Sequence, residues 1–166
     1  MYHPRDIIET IAGNIRNTKN PFGIPQALVN RWWVDSQVPK QGDALLFTGL
    51  MYQFIPYIEK STGYLAKYED SALAGTLRFA RYVPSYLSGL GLAMLTSGRE
   101  KKKFNRILTD IVRILAASGA DFYYDPDLDR YSGVLLYDLG DQDGFVAHAR
   151  WVANRLQKAG VKRLIT

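Results

Sequence analysis

Isoleucines at positions 7, 8, 11 and 15 follow Pro4 at helical spacing, so the chain opens with an amphipathic helix over 4–17. Asn, Pro and Gly punctuate NTKNPFGIP (17–25) and predict a loop. Helix is expected again over 25–35, which carries Trp32 and Trp33, and QVPKQGD (37–43) is a second break. ALLFTG (44–49) is a short apolar run between turn signals, the pattern of a buried parallel strand. Residues 51–70 and 71–97 read as helical, with breaks near Gly63 and from Pro84 to Gly91. The clearest amphipathic pattern spans 100–118. There Phe104, Ile107, Leu108, Ile111, Ile114 and Leu115 share one face and Gly119 supplies the stop. ADFYYD (120–125) reads as a second strand. A helix follows over 143–159, with Phe145, Ala149, Val152 and Leu156 inward and Gly160 as its stop. VKRLIT (161–166) reads as a third strand.

Strand, helices, strand, helix, strand predicts an α/β fold. The expected form is a three-layer domain around a small parallel sheet, with strands near 44–49, 121–125 and 161–165 and right-handed crossovers. The length of 166 residues suits one domain, 1–166, with a sizeable core. Open parallel sheets bind ligands beyond the carboxyl ends of their strands. Here the last strand ends where the sequence ends, so a segment of a longer subunit is an expected reading.

Composition narrows the chemistry. With no cysteine, disulfides, thiolate catalysis, cysteine-ligated zinc and cysteine-bound iron–sulfur clusters are excluded on this chain. A net charge of +5 permits an acidic partner or anionic ligand without demanding one. The start, MYHPRDIIET, has no basic-then-apolar signal pattern, so a cytoplasmic location is the expectation. Residues 82–97 carry no charge but are too few to span a bilayer and read as a buried helix, so no transmembrane segment is expected.

Several motifs carry a functional and a plain reading. Asp125, Asp127 and Asp129 mimic the opening of a calcium loop, but Arg130 stands where the sharp turn needs Gly and Leu136 where a bidentate Glu belongs. A solvated turn or helix cap is the better reading. Gly89-Leu90-Gly91 lacks the third glycine and the preceding strand of a dinucleotide fingerprint. His148 flanks an apolar helical stripe and reads as a packed histidine before a base or ligand. Arg99, Lys101, Lys102, Lys103 and Arg106 form a basic cluster that reads first as a solvated helix face and second as an anion patch; nucleic acid is not expected. Trp32-Trp33 reads equally as a docking surface or as one buried and one half-exposed indole.

NIRNTKNPFGIP (14–25), GDALLFTGL (42–50), RYSGVLLYDLGD (130–141) and AGVKRLIT (159–166) together resemble the cysteine-rich, CCG-type domain of heterodisulfide reductase subunits and of the glycolate oxidase iron–sulfur subunit. Against that family, residues 55–100 look like a helical insertion. The family's first cysteine position reads Leu50 here, and its Cys-Cys-Gly reads Tyr131-Ser132-Gly133. The resemblance implies an iron–sulfur cluster in complete members, but Leu cannot ligate iron and Tyr and Ser are poor substitutes for thiolate. No cofactor is therefore placed on this chain, and no catalytic or metal-ligating residue.

Two functions stay open. One is a fragment or degenerate subunit of a heterodisulfide-reductase-type oxidoreductase, lending scaffold to electron transfer beside other redox subunits or a ferredoxin-like domain. The other is a non-catalytic binding module for a protein partner or small anion. Either way the candidate crevice is formed by Thr48, Gly49, Leu50, Tyr52, Gln53, Arg130, Tyr131, Ser132 and Gly133, where the family places its cluster.

Overall fold

The computed structural model describes residues 3–68 and 85–166. Helix α1, Pro4–Thr18, starts where the His3 ring accepts the Arg5 N–H and stops where Lys19 turns left-handed, its N–H returning to Ile15 O. Helix α2 is only Gln26–Val29, against the expected 25–35. It is cut short because Trp32 turns into the core against the Tyr124 ring, 4.7 Å between centroids, while Trp33 Nε1 donates back to Asn30 O. Trp32 is buried and Trp33 half-buried, so the plainer reading of the pair holds.

Strands β1 (Ala44–Leu46), β2 (Phe122–Tyr123) and β3 (Leu164–Ile165) form a parallel sheet in the order β2-β1-β3. All three are shorter than the segments that predict them. Past Tyr123 the chain leaves the sheet, with Tyr124 N donating to Pro39 O instead. Alternation of side chains sets the layers. Leu46, Phe122 and Ile165 pack with Trp32 against Leu108 and Val112 of α5, Gly98–Ala117. Leu45, Phe47 and Tyr123 pack on the other face against Trp151, Val152 and Leu156 of α7, Gln142–Lys158. The fold is thus α/β, with helices on both faces of a small parallel sheet.

A third cluster lies beyond the strand ends. Ile15 of α1, Phe54 and Tyr57 of α3 (Met51–Tyr68) and Leu136 of α6 (Val134–Asp138) meet there around Leu50 and Tyr131. Helix α6 was not anticipated in 130–141. Gly63 does not break α3, and Gly89 and Gly91 lie inside α4, Ser85–Leu95. Gly89 has a packing role. A Cβ there would stand 2.5 Å from Gly23 C, and one on Gly23 would clash with Ser85 O. Helix α4 therefore lies directly on the 20–25 loop. The expected break at Pro84, and much of the helix expected over 71–97, fall outside the described residues. In α5, Ile114 is 68% exposed and not on the inner face, where Val112 lies instead. The segment 55–100 holds most of α3, all of α4 and the start of α5.

Candidate functional site at the carboxyl edge of the sheet

Two segments leave the carboxyl edge side by side. After β1 the chain turns through Thr48, Gly49 and Leu50 into α3. Gly49 and Leu50 are consecutive left-handed residues, at φ 61° and 56°. Leucine in that region costs about 1 kcal/mol, so the turn is held by its surroundings. After β2, residues 124–133 cross toward α6.

Asp129 joins the two. It is fully buried, 0% exposed. Its Oδ1 accepts the N–H groups of Thr48 (2.9 Å) and Gly49 (3.0 Å). Its Oδ2 accepts the hydroxyls of Thr48 (2.6 Å) and Tyr124 (2.8 Å). Thr48 Oγ1 in turn accepts from Gln53 Nε2 and Leu50 N. Burial pushes the Asp129 carboxyl up to about 6, against the downward pull of the Thr48, Tyr124 and Gly49 bonds. Burial, and then the Asp129 charge, raise the Tyr124 phenol. Tyr124 has one hydroxyl hydrogen for two acceptors, Asp129 Oδ2 and Asn30 Oδ1, while the buried Asn30 Nδ2 has no partner. Turning the Asn30 amide over would let Nδ2 donate to the Tyr124 oxygen, which then gives its one hydrogen to Asp129.

The nine predicted crevice residues divide. Gly49 and Ser132 are in contact: Ser132 N donates to Gly49 O at 3.1 Å, and a Cβ on Gly49 would stand 3.1 Å from Ser132 Cβ. Thr48 belongs to the Asp129 network. Gly133, at φ 89°, packs so closely that an added Cβ would lie 2.8 Å from the His148 ring. Tyr52 and Gln53 line a small cavity of about 150 Å³ with Arg31 and Lys101. Leu50, Arg130 and Tyr131 line a larger one of about 310 Å³, with Lys19, Asn20, Gln26, Phe54 and Tyr86. The open space thus lies beneath Leu50 and Arg130, while Thr48–Gly49 and the 129–132 segment close on each other. Tyr131 is buried, edge-on to Phe54, and its hydroxyl accepts the Leu135 N–H.

The larger cavity carries positive charge. Arg130 Nε donates to Asp127 O at 2.9 Å, and its guanidinium also donates to Gln26 Oε1. Gln26 Nε2 holds the same loop through Pro126 O and Asp129 O. Arg155 donates to that same Asp127 O at 3.3 Å, lies 5.6 Å over the Trp151 ring, and leaves its buried Nε without a partner. Burial, then the neighbouring Arg155 charge, lower the Arg130 guanidinium. Two guanidiniums therefore share one neutral carbonyl; the Asp127 carboxylate, 3.9 Å from Arg130, is 90% exposed, and Asp125 and Asp129 add further counter-charge.

His148 is a packed histidine. Its Nε2 lies 2.8 Å from Tyr131 O, which makes that nitrogen the N–H donor, and burial lowers its basicity. Asp125 Oδ1 accepts the Asp127 N–H in a local turn while Asp129 faces inward, so the three carboxylates do not converge. Among the described residues no group of three His, Asp or Glu side chains is placed to hold a metal ion. Nor is any helix there long and apolar enough to cross a membrane. Asp129, Tyr124, Asn30 and Gln26 were not anticipated as parts of the site. The signal available for Asp129 was its place, on the loop leaving the second strand opposite Thr48-Gly49. No protein-family model, curated protein or solved structure matches this chain.

Proposed function

We propose that this chain is a non-catalytic binding module that takes a small anion, or an acidic side chain of a protein partner, at the carboxyl edge of its sheet. One observation carries the reading: Arg130 and Arg155 crowd a single carbonyl oxygen beside a cavity of about 310 Å³ that Lys19 also lines. An oxyanion in that cavity would face Arg130 and offset the like-charge contact that Arg155 makes with it from outside the lining. Gln26 supports the arrangement by fixing Arg130 through its amide. The test is calorimetric titration of the whole chain with phosphate, sulfate and a dicarboxylate. Arg130→Glu should abolish binding of whichever anion the parent takes. No heat from any of them, or equal binding by the variant, would count against the reading.

A second reading keeps the resemblance to the heterodisulfide-reductase-type subunits. It draws support from the contact of the two segments that carry the likeness, Gly49–Leu50 and 131–133, at one sheet edge. In that reading the chain lends scaffold to a redox complex whose cluster is ligated elsewhere. Co-expression with the iron–sulfur subunits of such a complex is its test. Co-elution would support a scaffold role, and independent elution would count against it.

A further inference from the structure

Helix α4 carries no charged residue, yet it lies at the surface with only Gly89 fully buried. Leu87, Met94 and Leu95 are 50%, 87% and 57% exposed. Leu87 and Met94 are two turns apart and share one face, with Leu95 on its flank. Tyr86 extends this apolar surface at the helix start. Four residues beyond Leu95 the basic cluster of α5 begins. Arg99, Lys102, Lys103 and Arg106 are all exposed. Among the described residues Arg99 and Lys102 have no ion-pair partner, and Arg106 has only a 3.8 Å contact with Asp110. Cations in the first turn of a helix oppose its dipole, so their own helix gives them little electrostatic support. Lys101 differs from its neighbours. Its Nζ donates to Ala93 O at 2.9 Å and lies 5.2 Å over the Tyr57 ring, and burial lowers its basicity. This tether fastens the end of α4 to the start of α5, so the apolar face and the cations stay close together.

We propose that the α4–α5 junction docks on an anionic lipid surface. Leu87, Met94 and Leu95 enter the boundary of the acyl chains, and Arg99, Lys102 and Lys103 meet the headgroup phosphates. Charge complementarity selects an anionic partner. The uncharged helix selects a lipid one, because its apolar face can be immersed without stripping water from any charged side chain. A nucleic acid would use the cations and leave that apolar face in water.

The experiment is flotation of the full chain with phosphatidylcholine vesicles, with and without phosphatidylserine. Binding should require phosphatidylserine and weaken with added salt. Met94→Glu should lower the partition coefficient about tenfold or more, by replacing an apolar side chain that enters the acyl-chain boundary with a charge. Lys102→Gln and Lys103→Gln should each lower it about fivefold. All three positions are exposed, and unchanged circular dichroism would establish that the variants fold. The proposal is overturned if anionic vesicles are not bound, or if these variants bind as the parent does. Binding to duplex DNA, or self-association abolished by Met94→Glu, in the absence of vesicle binding would overturn it in favour of those partners.

Discussion

Asp129 and Thr48 are joined twice, carboxylate to backbone N–H at 2.9 Å and carboxylate to hydroxyl at 2.6 Å. The bonds span the two chain segments that leave β1 and β2, so a buried side chain continues the work of a very short ladder. Leu50 keeps its left-handed backbone in this setting, with its N–H on the Thr48 hydroxyl. The turn that shapes the cavity floor therefore depends on Asp129 without the carboxylate lining the cavity.

Because burial lifts the Asp129 carboxyl to about 6, the folded chain holds its proton more tightly than the unfolded chain does. Stability from this group is greatest below about pH 4 and falls as pH rises to about 6, by up to roughly 3 kcal/mol. Asp129→Asn removes that dependence. The new amide oxygen accepts the Thr48 and Gly49 N–H groups, and its NH2 faces the Tyr124 and Thr48 hydroxyls. The stability difference, variant minus parent, should grow more positive from about pH 4 to about pH 7 in urea unfolding. A difference flat across that range would contradict the assignment.

Asp129→Ala should behave oppositely to the amide variant at neutral pH. It leaves two backbone donors and two hydroxyls without their common acceptor. A loss of about 2–4 kcal/mol is expected from unsatisfied buried groups. Urea midpoints of the two variants, measured together, separate loss of the hydrogen bonds from loss of the charge.

His148 works against Asp129 in the same pH region. Burial lowers its basicity, so its contribution is present above about pH 6.5 and is lost as pH falls below that value. In the Asp129→Asn background the drop in stability on acidification should shrink when His148→Gln is added. An unchanged acid slope would remove His148 as its source.

The glycines of α4 make a paired test. Gly89→Ala would drive a methyl group to 2.5 Å from Gly23 backbone and should cost more than about 2 kcal/mol. Gly91→Ala meets nothing within 4 Å and should stabilise the same helix by about 0.5–1 kcal/mol. Thermal melts of both variants check this; a similar sign for the two would mean α4 does not press on the 20–25 loop.

The purified chain should be colourless after anaerobic reconstitution with iron and sulfide, because it offers no thiolate. Stoichiometric iron with visible charge-transfer absorption would show a ligand set that the sequence does not announce.

The strand positions are legible because ALL and FY sit in apolar runs flanked by turn residues and LI follows the glycine stop of a helix. Their lengths are not. Tyr124 continues the apolar run of β2 yet turns to Asn30 and Asp129, because its hydroxyl needs buried partners that a strand would not give it. Helix α2 fails for a similar reason: two adjacent indoles cannot both follow one helical face, and Trp32 takes the core. In the sequence Asp129 is one of three alternating aspartates, and spacing along a loop does not reveal which carboxylate turns inward. The strand pattern puts Leu50 and Tyr131 at the site, but the cavity they line also needs Lys19, Gln26 and Tyr86, which come from distant stretches of chain.

The central position of β1 bears on how the chain folds. Its two neighbours come from far later in the sequence, and each contributes only two paired residues. Closing such long loops is entropically unfavourable, and the few ladder bonds they bring return little until the flanking helices have packed. Helices α3 and α5 pack on each other more extensively than any other two elements described, so their collapse is expected to precede strand pairing, with the sheet forming late and slowly.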